Sequence, residues 1–444
     1  MEYKIGIKNS YISANNYAYV IIMLFFSSAI VCTSFLMIIG ANSYLYDVLF
    51  SLVLPLYLIC LFLSYKNRKH ELSIGTIYFF CFSFLLGIPA CYLFIYNSST
   101  PSFKGLMLCI ILASMFIYFL GRSLRPTDRY SLRSFRLSNF FILVFTLVSL
   151  CQFYKIYVYY SFISGSGLGH LAIYLENEAL VSSVPSIIRL ISGFSVIMAL
   201  MAVSFTRNKL IIAIAVLVLF SDIIIGIRGK AFSSVMALFI ILLYVDIRKV
   251  SAFFAKLTHP IILGVLFVIL SAVSYFREGY TIDFSSYLLV VLDSIASIIS
   301  GMQHVFNISD FWYYSNFDSE SVILQIFNLI GFDIREVTPI SQTYTDIALG
   351  GHSTGIALSS SLPLESMVIG GPFGPLIMII YPLAMILIIH KMLSSGDKLL
   401  MTIAISMLPG FVFSCRAELV LPFVYLIKAI PIIAISPVLI RRNI

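Results

Sequence analysis

Arg228 and Lys230 stand two residues apart in GIRGKAFSS, residues 226–234, between the apolar runs LIIAIAVLVLFSDIII and AFSSVMALFIILLYV. Other cations occupy similar borders. Arg189 opens the run at 186–206, Arg277 closes another in SYFREGY, and Arg416 lies in SCRAELV between the last two runs. A guanidinium stays charged at every working pH and presents a fork of N–H donors that matches phosphate oxygens. Two readings are open for such residues. Each is a snorkelling anchor or ion-pair partner at a membrane border, or several converge on one phosphate-bearing ligand. A lipid with its tail in the bilayer and a diphosphate at the surface suits the second reading. Arginines beside a departing diphosphate would stabilise the charge that develops on its bridging oxygen during glycosyl transfer. Arg228, Arg277 and Arg416 are the leading candidates, with Lys230 and Arg189 as further substrate contacts.

The remaining polar candidates fall late in the chain. QTYTDIALGGHSTGIALSSSLPLES, residues 342–366, is the most polar part of a long segment at 276–365. Its glycines at 350, 351 and 355 favour an irregular loop. His352 is either a surface loop residue or an acceptor-binding or proton-handling group, and Asp346 carries the same ambiguity. Glu365 precedes GGPFGP at the start of an apolar run. It reads as a helix-start cap or as a buried acid that needs a partner. Tyr344, Glu278 and Arg335 complete the candidate substrate contacts. No carboxylate pair has a spacing that announces acid/base chemistry. Neither a phosphate-binding loop nor a dinucleotide-binding glycine pattern occurs.

These residues must be positioned by helices in a bilayer. The chain has 444 residues, of which 60% are hydrophobic and only 11% charged, against about 25% charged in a soluble domain. Apolar stretches long enough to cross a hydrocarbon core of roughly 30 Å recur along it. About twelve spans are expected, near 17–39, 44–64, 72–96, 104–121, 138–163, 186–206, 209–225, 231–246, 259–275, 366–390, 399–415 and 419–440. The expected fold is an all-α polytopic membrane protein. Helices 1–9 would lie within 1–275, a large outer segment with short helices at 276–365, and helices 10–12 within 366–444. SYLLVVLDSIASIISGM (286–302) and ESVILQIFNLI (320–330) are the short helices of that segment. FWYY (311–314) is an interfacial belt or a sugar-stacking platform.

Cation-rich loops alternate with poor ones, and one side collects about two thirds of the 28 lysines and arginines. By the positive-inside rule that side is cytoplasmic, both termini are inside, and GIRGK lies outside. The net charge of +8 is spread among loops, so no nucleic-acid partner is expected. The seven cysteines lie in apolar runs or at their ends without a CxxC pair, and neither a disulfide framework nor a metal site is expected.

The chain resembles the Wzy-type O-antigen polymerases, which assemble bacterial surface polysaccharide from oligosaccharide repeat units. The likeness rests on the span number, termini inside, one large outer loop late in the chain, the GIRGK hairpin, and PLESMVIGGPFGPL. That last stretch is similar to the family's acid–aromatic–Asn–Phe–Gly-x-x-Gly pattern. Glu365, Gly371 and Gly374 match it, while Met367, Ile369 and Gly370 replace its Tyr, Asn and Phe. The resemblance implies a C-type membrane glycosyltransferase fold and an inverting transfer between two undecaprenyl-diphosphate-linked oligosaccharides at the periplasmic face of the inner membrane. It also implies a polysaccharide chain-length regulator as partner, and no cofactor or metal. An O-antigen ligase would share the arginines and the loop. A lipid-linked oligosaccharide flippase would show an internal repeat and charges deep within its spans.

Overall fold

The computed structural model describes residues 14–67, 72–96, 100–124, 135–166, 176–225, 228–257, 259, 299–300, 302, 324, 340–349 and 360–442. The helices are α1 (Ala14–Ile38), α2 (Ser43–Asn67), α3 (Ile74–Phe82), α4 (Ile88–Tyr96), α5 (Pro101–Ser123), α6 (Asn139–Gly165), α7 (Asn177–Ser182), α8 (Ser186–Ser192), α9 (Ser195–Phe205), α10 (Lys209–Phe220), α11 (Arg228–Leu257), α12 (Ile340–Leu349), α13 (Leu362–Gly370), α14 (Gly374–Leu393), α15 (Lys398–Phe413) and α16 (Leu421–Leu439). A π-helical turn, Ser83–Gly87, joins α3 to α4 into one rod. Two three-residue strands, β1 (Phe135–Leu137) and β2 (Ile440–Arg442), pair antiparallel.

Short polar residues between the apolar runs start several helices. Ser73, Thr100, Ser138, Asn208, Ser361 and Asp397 each accept a backbone N–H from the turn they cap. Among the described residues ten helical stretches are long and apolar enough to cross a membrane. The protein is an all-α polytopic membrane protein. Two expected spans are not among the ten. The one at 259–275 lies, apart from His259, outside the described residues. The one at 209–225 is shorter than expected. Its α-helix α10 has twelve residues and passes into a 3-10 turn at Ser221–Ile223. That is a length of about 24 Å, short of a core of roughly 30 Å. Asp222 stands in that 3-10 turn, where it pairs with Lys230.

Without water to expel, membrane helices associate by close packing, which small residues permit. The stretch in α5 is 89% buried, against 22% in α2 and in α16, so α5 is central and the other two peripheral. It packs on α1, α2, α3 and α14. A Cβ on Gly75 of α3 would lie 2.4 Å from the Gly121 Cα of α5, and one on Gly121 would lie 2.6 Å from the Thr76 nitrogen. The two backbones touch there, and Ser73 seals the crossing by donating its hydroxyl to the Gly121 carbonyl at 2.6 Å.

Contacts at the helix termini sort the bundle into two ends. At one end Arg122 lies over the Tyr19 ring, β1 pairs with β2, Lys398 Nζ donates to the Ile440 carbonyl, and the Tyr244 hydroxyl meets His390 Nδ1 at 2.7 Å. At the opposite end Lys104 pairs with Asp47 at 2.6 Å, Asp222 pairs with Lys230, and Glu365 meets the Leu419 amide. The first and last described helices therefore start and finish at the same, sheet-bearing end. Of the long segment at 276–365, α12 and the residues leading into α13 are the described portions beyond isolated positions.

Gly121→Val is expected to lower the thermal midpoint of the detergent-solubilised protein, at a cost of about 1–3 kcal/mol for overpacking. A Ser73→Ala variant, which keeps the backbone contact, should lose less. An unchanged midpoint in Gly121→Val would contradict the close crossing.

Candidate functional site

The end of the bundle away from the sheet carries the candidate residues that the structure brings together. Glu365 sits in the first turn of α13, where Ser361 caps the helix and Pro363 fits the opening turn. Its side chain is 1% exposed. The Ser360 hydroxyl donates to Oε1 at 2.5 Å and the Leu419 amide donates to Oε2 at 2.8 Å. Burial pushes the carboxyl up to about 8. Its two hydrogen bonds oppose that shift, and the nearby Glu418 adds to it. The acid is therefore mostly protonated at neutral pH, and it holds a backbone segment in place.

That segment is the turn between α15 and α16. The carbonyl of Leu419 accepts from the Tyr381 hydroxyl of α14 at 3.2 Å, so its peptide neighbourhood is fixed from two sides. One residue earlier, Glu418 Oε1 accepts from the Ser341 hydroxyl of α12 at 2.9 Å. Ser414 meets the Tyr78 hydroxyl of α3 at 3.3 Å, and the Tyr78 ring stacks on Phe411 with centroids 4.4 Å apart. Arg416, half-buried, closes the 3-10 turn Ser414–Arg416 within this frame. Two glycines permit the closeness. A Cβ on Gly374 would lie 2.5 Å from the Ser366 carbonyl oxygen, and one on Gly410 would lie 2.6 Å from the Pro422 nitrogen. Gly371 adopts φ +52°, a conformation that favours glycine, at the α13–α14 corner.

The α10–α11 hairpin arrives beside this turn, because Gly229 leaves room for the Phe413 ring. Lys230 Nζ pairs with Asp222 Oδ2 at 2.7 Å across the hairpin. Arg228 is the first residue of α11, and its side chain lies outside the described residues. Arg189 is half-buried on α8, which packs on α6. Asp346 is exposed on α12, two residues beyond Tyr344. The Tyr344 side chain is fully buried in the core, and burial raises its phenol pKa. The structure thus seats this candidate substrate contact among packing residues. Arg277, Glu278, Arg335 and His352 lie outside the described residues, as do the FWYY stretch and all but isolated positions of the helices expected at 286–302 and 320–330.

Sequence reading passed over three groups that the geometry makes prominent. Asp222 had a visible signal, a lone acid inside an apolar run. Glu418 stands two residues after Arg416, and Gln152 is a polar residue inside the α6 run. The pairing of Glu365 with a backbone amide 54 residues away left no mark in the sequence. Among the described residues no group of three or more His, Cys, Asp or Glu side chains is arranged to hold a metal. All seven cysteines are free thiols.

The raised carboxyl of Glu365 has a thermodynamic consequence. The native protein holds a proton that the unfolded chain releases above the ordinary value of 4.5. The resulting stabilisation is complete below that value and is lost as pH rises through about 8. The thermal midpoint of the wild type should fall between about pH 5 and pH 8 relative to Glu365→Gln, which mimics the protonated acid. Glu365→Ala should cost roughly 1–3 kcal/mol, because it leaves the Leu419 amide buried without an acceptor. Parallel pH profiles for the wild type and Glu365→Gln would contradict this account of the buried acid.

No family model matches the chain, and neither the curated proteins nor the solved structures contain a match.

Proposed function

We propose that the protein is a membrane glycosyltransferase that polymerises undecaprenyl-diphosphate-linked oligosaccharide repeat units into O-antigen or a related surface polysaccharide. The reaction takes place at the periplasmic face of a bacterial inner membrane. The observation that carries this reading is the rigid turn at 414–419. It carries Arg416 and Glu418 at the end of the bundle away from the sheet, beside the hairpin that begins α11 with Arg228 and Lys230. The distribution of cations supports the orientation. Lys66, Arg122, Arg136, Lys391, Lys398 and Arg441 all belong to the sheet-bearing end, which the positive-inside rule makes cytoplasmic.

In this reading a hydroxyl of the acceptor repeat unit attacks the anomeric carbon of the donor glycan. The new glycosidic bond forms as the bond from that carbon to the diphosphate oxygen breaks, and the hydroxyl proton leaves to a base or to water. The electron pair of the broken bond goes to the departing undecaprenyl diphosphate. Arg416, Arg228 and the sequence candidate Arg277 offset that charge by bidentate contact. Glu365 is a positioning residue, since a carboxyl that is mostly protonated at neutral pH is poorly suited to receive the proton. A polysaccharide chain-length regulator is the proposed protein partner. A flippase is the second reading, favoured by the buried acid Asp222 and its Lys230 partner within the helical bundle.

The readings separate in a strain lacking the gene. Core bearing a single repeat unit supports the polymerase. Accumulated unligated polymer would instead indicate a ligase, and lipid-linked units trapped inside a flippase. In complementation, Arg416→Lys and Arg228→Lys should impair polymer formation almost as much as the alanine variants, on the order of ten- to a thousand-fold, because an ammonium lacks the guanidinium fork. Glu365→Gln should remain close to wild type. Full-length polymer from both lysine variants would reduce these arginines to membrane anchors.

A further inference from the structure

One face of α6 carries polar groups at helical spacing through an otherwise apolar span. Ser149, Gln152, Lys155 and Tyr159 follow one another at intervals of three or four residues, which places them on one side. Gln152 is fully buried. Its Nε2 donates to Ser221 Oγ at 3.0 Å and to Asp222 Oδ1 at 3.3 Å, and its Oε1 accepts from the Ser195 hydroxyl at 3.3 Å. Asp222, 3% exposed, spends its other oxygen on Lys230 at 2.7 Å. Lys155, one turn beyond Gln152, lies within electrostatic reach of both Asp222 and Lys230. Tyr425 of α16 also feels the Asp222 charge. A further turn along α6, Tyr159 lies in the field of Arg189. The Arg189 Nε is buried and has no hydrogen-bond partner.

This cluster is unbalanced. Lys155 and Lys230 share the one carboxylate of Asp222, Arg189 stands beside Tyr159 at the end of the same stripe, and charge buried without a counter-charge is costly. Its depth is also informative. Lys155 lies about 24 Å along α6 from the sheet-bearing end and Asp222 about 20 Å along the α10 hairpin, by helix rise. Both stop short of the far face of a core of roughly 30 Å. Phe153, Tyr154, Tyr157, Leu190, Ile223 and Ile224 around the cluster present apolar or aromatic surface outward. An anion that reaches such a site from the bilayer has an apolar tail.

We propose that the polar stripe of α6, closed by the tip of the α10–α11 hairpin and by Arg189, binds the phosphate head of a lipid lodged in the half of the bilayer away from the sheet. Lys155 and Arg189 supply the contacts that Asp222 leaves uncompensated. The site deepens the proposed function by giving the polyprenyl carrier an anchoring place beside the 414–419 turn. It rests on that reading only for the identity of the lipid.

The test measures binding alone, so it stands or falls apart from glycosyl transfer. Full-length protein in nanodiscs of zwitterionic lipid is titrated with undecaprenyl phosphate, and separately with inorganic phosphate, while its thermal midpoint and ligand occupancy are followed. The wild type should be stabilised by the lipid and unaffected by millimolar inorganic phosphate. Lys155→Met and Arg189→Gln should each weaken lipid binding about tenfold or more. Lys428→Met, a control at an exposed lysine of α16, should bind as wild type. Lys155→Arg, which keeps the charge, should retain binding and so separates ligand loss from misfolding. Wild-type affinity in both Lys155→Met and Arg189→Gln would overturn the site. Equal stabilisation by inorganic phosphate would also overturn it, in favour of a free-anion site.

Discussion

The peptide unit at Leu419 is held from both sides. Its amide donates to a buried acid that begins α13, and its carbonyl accepts from a tyrosine in the middle of α14. The turn between α15 and α16 leaves its own amide without a helical partner where water is scarce, and every buried backbone group must find one. Glu365 meets that requirement from a distant part of the chain. Because the two partners are 54 residues apart, their contact sets how the last two helices sit against the α13–α14 corner. Arg416 and Glu418 lie on the turn that it holds.

The same constraint shapes the hairpin that packs beside this turn. An aspartate cannot remain alone in an apolar run, so α10 ends early and Asp222 turns to Lys230 and Gln152. The glycines at 229, 374 and 410 allow the elements to approach closely enough for the hairpin, the turn and the acid to form one end of the bundle. Close packing and polar pairing are thus concentrated in the same few contacts, a common arrangement where polar groups lie within a membrane.

The sequence was legible where one physical effect dominates. Apolar run length announced ten of the spans, and the alternation of cations anticipated that one end would collect Arg122, Arg136, Lys398 and Arg441. It was illegible where pairing is non-local. The run at 209–225 looked long enough to cross because hydropathy counts Asp222 as one polar residue among many apolar ones and cannot see the 3-10 turn in which it pairs with Lys230. Lys230 read as a further substrate contact, and its ion-pair partner sits eight residues earlier in what looked like a span. Tyr344, a candidate substrate contact, is carried by a helix that buries it in the core, which the sequence did not show. Glu365 read either as a helix-start cap or as a buried acid in need of a partner. It stands in the first turn of α13, and beside the nearby Ser360 hydroxyl its other partner is a distant backbone amide, which no side-chain pattern reveals.

The central claim is that this bundle joins lipid-linked glycans at the end where Glu365 fixes the arginine-bearing turn. The most direct measurement supplies purified protein, reconstituted into vesicles, with purified undecaprenyl-diphosphate-linked repeat units and follows the length of the lipid-linked glycan by gel electrophoresis and mass spectrometry. The account predicts a ladder of products, each one repeat unit longer than the last, with release of free undecaprenyl diphosphate for every bond formed. Repeat units that stay single while folded protein and substrate are both present in the vesicles would contradict it. Their transfer across the bilayer without lengthening would instead identify the protein as a transporter.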